Sequence, residues 1–262
     1  MIKIVSGFTG AGGSTVVFNT LVNLFNSNGM DSCLYGNYKW DGITCRFKDI
    51  KDFYSDPGEV VVFHFLPFRD RFAKKQILSC HETTLFQLDK VNKMGGKPMV
   101  CDNIHFVSQY QKDWQAYEGV VIPNPIKQFS ARTNDGSKRV AGIIGSIDSN
   151  KRVHLSIQRA LDDGFSDIRL YGAVTDYPYF LSNVMNLLSD KVTYRGVAPN
   201  MDNVYNQLTH VYHSPKQETF NLIKPECIAA GVTYVGNEGN DTKAEYWTND
   251  RILEAWKKLL SS

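Results

Sequence analysis

The chain is expected to fold as an α/β protein made of two Rossmann-like halves, each on a parallel sheet. Three observations point there. Short apolar strands alternate with amphipathic helical stripes along the sequence. A glycine-rich loop follows the first strand and opens the first helix. A polar stretch, residues 123–139, interrupts the alternation near the middle, and a new strand restarts it.

The elements follow in order. Residues 2–5 read as a strand. Val16, Val17, Leu21, Leu24 and Phe25 form one apolar stripe, and Gly29 ends that helix. Residues 60–65 and 77–80 are buried-type strands, and 104–107 and 120–122 close the first half. The second half opens on a strand at 140–144. Val153, Ile157, Ala160 and Leu161 mark a helix that stops at Gly164. Strands at 168–171, 192–194, 211–213 and 233–235 then alternate with helices at 179–188, 202–208 and 227–230, the last running to Gly231 as its C′ residue. Residues 250–260 are amphipathic. The expected domains are therefore 1–123, 124–245 and a C-terminal helix, 246–262, that packs back toward the first.

Composition narrows the class. The chain has 262 residues, 42% of them hydrophobic, with a net charge of +2. That supports a real core and gives no global polyelectrolyte signal. Five cysteines, Cys33, Cys45, Cys80, Cys101 and Cys227, form no C-x-x-C pair, so neither a disulfide framework nor a zinc site is expected. No apolar run is long enough to span a bilayer, and the N-terminus lacks the apolar core of a signal peptide. A cytoplasmic protein without stable membrane insertion is the expectation.

The most informative segment is residues 218–239, E-T-F-N-L-I-K-P-E-C-I-A-A-G-V-T-Y-V-G-N-E-G. Glu218 and Glu226 stand eight apart, about 12 Å at helical rise. That approximates the span from sugar to ribose in a sugar nucleotide. One carboxylate can accept from sugar hydroxyls and the other from ribose hydroxyls. The backbone N–H groups of Asn221 and Leu222, at a helix start, can hold a diphosphate between them. An ordinary surface helix with two glutamates is the bland alternative.

The segment resembles the glutamate-x7-glutamate element of retaining glycosyltransferases of the GT-B fold, family-four type, E-x-F-G-L-x-x-x-E-A-x-A-x-G-x-P-V. Glu218, Phe220, Leu222, Glu226, Ala229 and Gly231 match, and Asn221 replaces the glycine. The resemblance implies two Rossmann-like domains with the active-site cleft between them. It also implies transfer of a sugar from a nucleotide-sugar donor, with a UDP-sugar expected, to a hydroxyl with retention and no metal. No D-x-D motif or metal-spaced cluster occurs in the sequence.

Other segments extend the resemblance. The loop Gly7-Phe8-Thr9-Gly10-Ala11-Gly12-Gly13-Ser14-Thr15 fails as a Walker A motif, because Gly13 stands where the lysine belongs. It is similar to the family's loop in which the residues matching Gly12 and Gly13 lie against the donor; a plain tight turn is the alternative. Ile144-Gly145-Ser146-Ile147-Asp148-Ser149-Asn150-Lys151 resembles V-G-R-L-x-x-E-K. This implies that Lys151 neutralises the diphosphate; Ser146 occupies the arginine position, the adjacent Arg152 is a candidate to compensate, and a solvated turn is the alternative for Lys151 and Arg152. Tyr171 and Val197 border the base in the same resemblance. His81, in Ser79-Cys80-His81-Glu82, matches the histidine that reaches the donor sugar near the reacting carbon, a position suited to imidazole. His64, inside an apolar strand, reads as a core or strand-end histidine. Val121-Ile122-Pro123-Asn124 resembles V-I-P-N and carries no chemistry.

For the acceptor, Arg69, Arg71, Lys74 and Lys75, with Lys39, Arg46, Lys48 and Lys51, interleave with Tyr38, Trp40, Phe47, Phe53, Phe68 and Phe72. Such a pattern can track double-stranded DNA, and it equally fits solvated helix faces. The compact size and Asn/Lys/Tyr-rich style resemble bacteriophage enzymes that glycosylate hydroxymethylated pyrimidines in their own DNA, which would place the protein in a host cytoplasm. A surface glycan, a lipid-linked acceptor, and a non-catalytic binder of nucleotides or DNA remain open, as does the oligomeric state. A P-loop phosphotransferase ranks third.

Overall fold

The computed structural model describes residues 1–64, 69–81, 100–115, 117–130, 133–236 and 245–262. The chain divides into two compact units. One comprises Met1–Ile126 with Lys243–Ser262, the other Lys127–Thr242.

The first unit holds a seven-stranded parallel sheet. Its strands are β1 (Ile2–Ser6), β2 (Ser32–Gly36), β3 (Phe47–Asp49), β4 (Val60–His64), β5 (Lys75–Cys80), β6 (Asn103–Phe106) and β7 (Val120–Val121). They lie in the order β3-β2-β1-β4-β5-β6-β7. Helix α1 (Gly13–Ser27) follows β1, and α2 (Gln109–Gln115) follows β6. One face buries Ile4, Leu34, Val62 and Ile77 under α1 and under the C-terminal helix, through Phe18, Leu21, Phe25, Ile252 and Trp256. The other face buries Val5, Tyr35, Val61, Phe63 and Phe106 with Phe53. A sheet covered on both faces needs apolar residues at successive positions, and Ile4 and Val5, then Val61, Val62 and Phe63, supply them.

The second unit holds a five-stranded parallel sheet. It comprises β8 (Ala141–Ile144), β9 (Ile168–Tyr171), β10 (Val192–Gly196), β11 (His210–His213) and β12 (Thr233–Gly236), in the order β10-β9-β8-β11-β12. Helices α3 (Val153–Asp162), α4 (Met201–Tyr205) and α5 (Ile223–Ala230) connect them. The residues expected as a helix at 179–188 form a three-residue α-helical turn, Tyr177–Tyr179, a wide turn, Phe180–Val184, and a 3₁₀ turn, Met185–Leu187. Ile143, Ile157, Ile168 and Leu170 fill one side of the sheet, and Val140, Tyr205, Val211 and Cys227 the other.

Helix α6 (Asn249–Ser261) belongs to the first unit. Thr248 caps it by accepting from Arg251 N, and Asn249 exchanges hydrogen bonds with the backbone of Ile126. Strands β2 and β3 and helix α2 add to the elements expected from sequence. Among the described residues, 123–130 and 133–139 carry no helix or strand. Phe65, Phe68, and residues 82–84 and 237–239 lie outside the described residues.

Candidate functional sites at the sheet carboxyl edges

In an open parallel sheet, ligands bind outside the strand carboxyl ends where the strand order reverses. In the second unit that point lies between β8 and β11. Lys151 and Glu218 meet there.

The loop after β8 is fixed by Asp148. Its carboxylate accepts from Asn150 N (3.0 Å), Lys151 N (2.8 Å), Ser146 Oγ (2.5 Å) and Thr175 Oγ1 (3.3 Å). Arg152 takes a left-handed backbone, φ 48. Its guanidinium donates to the carbonyls of Ser214 (2.8 Å) and Pro215 (2.9 Å). Lys216 N donates to Asn150 O, and Asn150 Nδ2 to Gln217 O. The two loops are thus stitched together, and Arg152 serves the stitching.

Lys151 Nζ donates to Glu218 Oε1, and His213 Nε2 stands 3.3 Å from the same oxygen. Desolvation pushes the Glu218 carboxyl up, but the Lys151 charge and His213 outweigh it and hold the pKa below the usual carboxylate range. His213, the last residue of β11 and 4% exposed, carried a sequence signal only as a polar residue at a strand end.

Glu218 lies outside α5, which spans Ile223–Ala230, so helical rise does not set its distance from Glu226. Pro225 sits in the first turn, where its missing N–H costs nothing. Asn221 Oδ1 accepts from Ile223 N (3.1 Å) and Lys224 N (3.4 Å), while its Nδ2 donates to Tyr234 Oη (2.7 Å). Leu222 takes a helical backbone at the head of α5. Glu226 is 6% exposed and accepts from Tyr205 Oη at 2.8 Å. Desolvation raises its pKa to about 7, against the opposing pull of Tyr205 and Lys127.

Tyr171 ends β9, and its carbonyl accepts from Gly145 N (2.9 Å). A Cβ on Gly172, at φ +150, would lie 1.8 Å from Gly145 O, so only glycine lets the two strand ends close. Val197, just beyond β10, is exposed.

In the first unit the strand order reverses between β1 and β4. Gly12 caps α1 with extended backbone, and Gly13 is its exposed first residue. Phe8, 44% exposed, lays its ring over this loop. A Cβ on Gly12 would stand 2.8 Å from Phe8 Cε1, and one on Gly10 3.2 Å from Phe8 Cε2. The glycines therefore make room for an aromatic ring of the chain itself.

His81 follows β5 and is partly buried. Desolvation, then the neighbouring His64 and His105, hold its pKa well below the ordinary imidazole value. Its ring packs against Phe18 (4.9 Å between centroids) and His64 (5.2 Å). Three histidines thus occupy the carboxyl ends of β4, β5 and β6: His64, the buried strand-end residue expected, His81, and His105, which the sequence did not single out.

Four of the eight basic residues in the cluster are seen in ion pairs. Arg46 pairs with Asp31, Lys48 with Asp56, Arg71 with Asp102 and Lys74 with Glu59. This favours solvated faces over a phosphate-tracking stripe. Among the described residues, no group of His, Cys, Asp and Glu is arranged to hold a metal ion, and no helix is long and apolar enough to cross a membrane.

Two parallel sheets, each covered by helices, carry the GT-B fold, and solved structures share it. WaaG, a glycosyltransferase involved in lipopolysaccharide biosynthesis, is 12% identical at a TM-score of 0.64, over 100% of this chain and 91% of WaaG. Anabaena HepE, solved with UDP and glucose, is 10% identical at 0.67, over 98% and 90%. An alpha-glucosyltransferase solved with UDP and a 13-mer DNA is 11% identical at 0.65, over 100% and 90%. No family model and no curated protein matches the chain.

Proposed function

We propose that this protein is a glycosyltransferase that moves a sugar from a nucleotide-sugar donor to a hydroxyl acceptor, with retention and without a metal. The observation that carries the reading is the Lys151–Glu218 pair with His213 at the strand-order reversal of a GT-B fold. In this assignment the Lys151 ammonium stabilises the charge that develops on the leaving diphosphate. Glu218 accepts from the sugar hydroxyls and Glu226 from the ribose. Ser146, Asn221 and Leu222 border the diphosphate, Tyr171 and Val197 the base, and Gly12 and Gly13 the donor. His81 acts at the reacting sugar carbon. The unit holding Lys127–Thr242 is then the nucleotide-sugar side and the other the acceptor side.

A UDP-sugar is the favoured donor, since neighbours of the same fold were solved with UDP. Hydroxymethylated pyrimidine in DNA is our first acceptor. It draws support from the neighbour solved with DNA, against the paired state of four residues of the basic cluster.

Thermal unfolding against nucleoside diphosphates and sugar nucleotides tests the donor site. A ligand at a hundred times its Kd adds about 2.7 kcal/mol. Stabilisation by one nucleotide and its sugar conjugate, followed by donor consumption with hydroxymethylated duplex DNA, supports the full reading. Consumption with a glycan or lipid-linked acceptor alone removes the DNA assignment. Nucleotide binding without turnover on any acceptor makes the chain a binding protein.

A further inference from the structure

Two nitrogen donors of the second unit face one oxygen of Glu218. Lys151 Nζ donates to Oε1, and His213 Nε2 stands 3.3 Å from that same atom. Among the described residues, Oε2 of the same carboxylate takes no hydrogen bond. The Arg152 guanidinium, next to Lys151, donates to the carbonyl of Ser214, next to His213. Both donors are therefore carried on loops braced against each other.

The two donors are unequally used. His213 is 4% exposed, and its Nε2 is a buried atom that makes no aligned hydrogen bond in this arrangement. The other ring nitrogen, Nδ1, lies 3.4 Å from Tyr234 Oη. A buried ring nitrogen that lacks its bond costs about 1–3 kcal/mol, so its retention calls for a reason. An ionised carboxylate has no proton to give, so in any bond between Nε2 and Glu218 the imidazole donates.

We infer that His213 is a positioning residue that takes over Glu218 Oε1 when Lys151 turns to the diphosphate. The inference rests on the glycosyltransferase reading above, which asks Lys151 to serve the diphosphate while Glu218 serves the sugar. In the free protein the two side chains occupy each other. Were Lys151 to leave with no replacement, a carboxylate only 9% exposed would lose its partner, at a cost of about 3 kcal/mol set against donor binding. A small turn of the carboxylate brings Oε1 into line with Nε2–H. Oε2 is then left to accept from sugar hydroxyls. The ring donates while neutral, so the exchange moves no proton.

Proton–nitrogen correlation spectra of the full-length, ¹⁵N-labelled protein at neutral pH report the ring directly. His213 should carry its proton on Nε2, and that resonance should move downfield when UDP is added. Lys151→Met should cause the same move without UDP, and Lys151→Gln serves where Lys151→Met does not fold. A bare Nε2, or a ring unmoved by bound UDP or by loss of the ammonium, overturns the exchange. His213→Phe should leave the Kd for UDP unchanged and lower kcat/KM for the UDP-sugar about tenfold, the worth of one charge-assisted hydrogen bond. His213→Gln, which keeps an N–H donor, should recover most of it. In a Glu218→Gln background, His213→Phe should cost nothing further. Additive losses, or equal loss of UDP and UDP-sugar binding, mark a purely structural histidine and overturn the role. A protein that binds no nucleoside diphosphate overturns the transferase reading, while the Lys151→Met spectrum still decides whether His213 takes over Glu218.

Discussion

Tyr205 donates its phenol proton to Glu226 across 2.8 Å, in surroundings that leave both side chains buried. With a folded pKa of about 7 against an ordinary 4.5, Glu226 holds its proton more tightly in the folded chain than in the unfolded one. The stability this contributes is fully present below about pH 4.5 and is lost as pH rises through 7, by roughly 3 kcal/mol at most. Glu226→Gln should flatten this loss in urea unfolding between pH 5 and 8. A wild-type curve with no decline over that range would remove the raised pKa.

The same group links nucleotide binding to protons. Ribose hydroxyls donate, and they prefer a carboxylate to a carboxylic acid. Nucleoside diphosphate binding near pH 7 should therefore release a proton, and calorimetry in buffers of different ionisation enthalpy measures it. Affinity should rise from pH 5 to 8, and Glu226→Ala should abolish it. Unchanged donor binding in Glu226→Ala would sink the ribose assignment.

Lys151→Met leaves Glu218 desolvated without its main counter-charge. Breaking such a pair costs about 3 kcal/mol, and transfer should fall with it. The double variant Lys151→Met/Glu218→Gln should recover much of the stability and none of the activity. Urea midpoints and donor turnover separate the two effects.

Gly172→Ala places a methyl group 1.8 Å from Gly145 O at a left-handed φ. Backbone cannot yield there as a side chain would, so a loss of about 4 kcal/mol or outright misfolding is expected. Gly12→Ala is a contrasting case. Its φ of −172 suits any residue, and the clash is with the outer edge of the Phe8 ring. A cost of about 1 kcal/mol that vanishes in Phe8→Ala/Gly12→Ala is expected from a double-mutant cycle.

Apolar periodicity made most of the fold legible, because strands buried on both faces read as continuous apolar runs. Ser32–Gly36 escaped that reading: it is wholly buried, yet only Cys33, Leu34 and Tyr35 are apolar, and serine and glycine flank them. Phe47–Asp49 is an edge strand with no pattern to detect. In the second unit, the Lys151–Glu218 pair joins residues that a linear motif scan treats as separate contacts to one donor. The sequence marks Arg152 as a cation beside Lys151, but direction is what a sequence does not state, and the structure turns it onto the carbonyls of Ser214 and Pro215. The serine–histidine hydrogen bonds of the first unit, Ser6 with His64 and Ser79 with His105, are illegible for a related reason: they run across strand register, and register is a property of the assembled sheet.

The packing of α6 has a consequence for how the chain is made. Ile252, Leu253, Trp256 and Leu259 complete the core around Ile4, Phe18 and Phe25, and the Trp256 indole lies 4.6 Å from the His105 ring. A ribosome emits Ile4 some two hundred and fifty residues before Trp256, so the unit begun first cannot close its core until nearly all of these residues have been synthesised. The second unit, whose residues run consecutively from Lys127 to Thr242, is free to fold in the interval. A nascent chain stalled ahead of residue 249 would hold a finished second unit beside a first unit with an open apolar face, a natural substrate for chaperones.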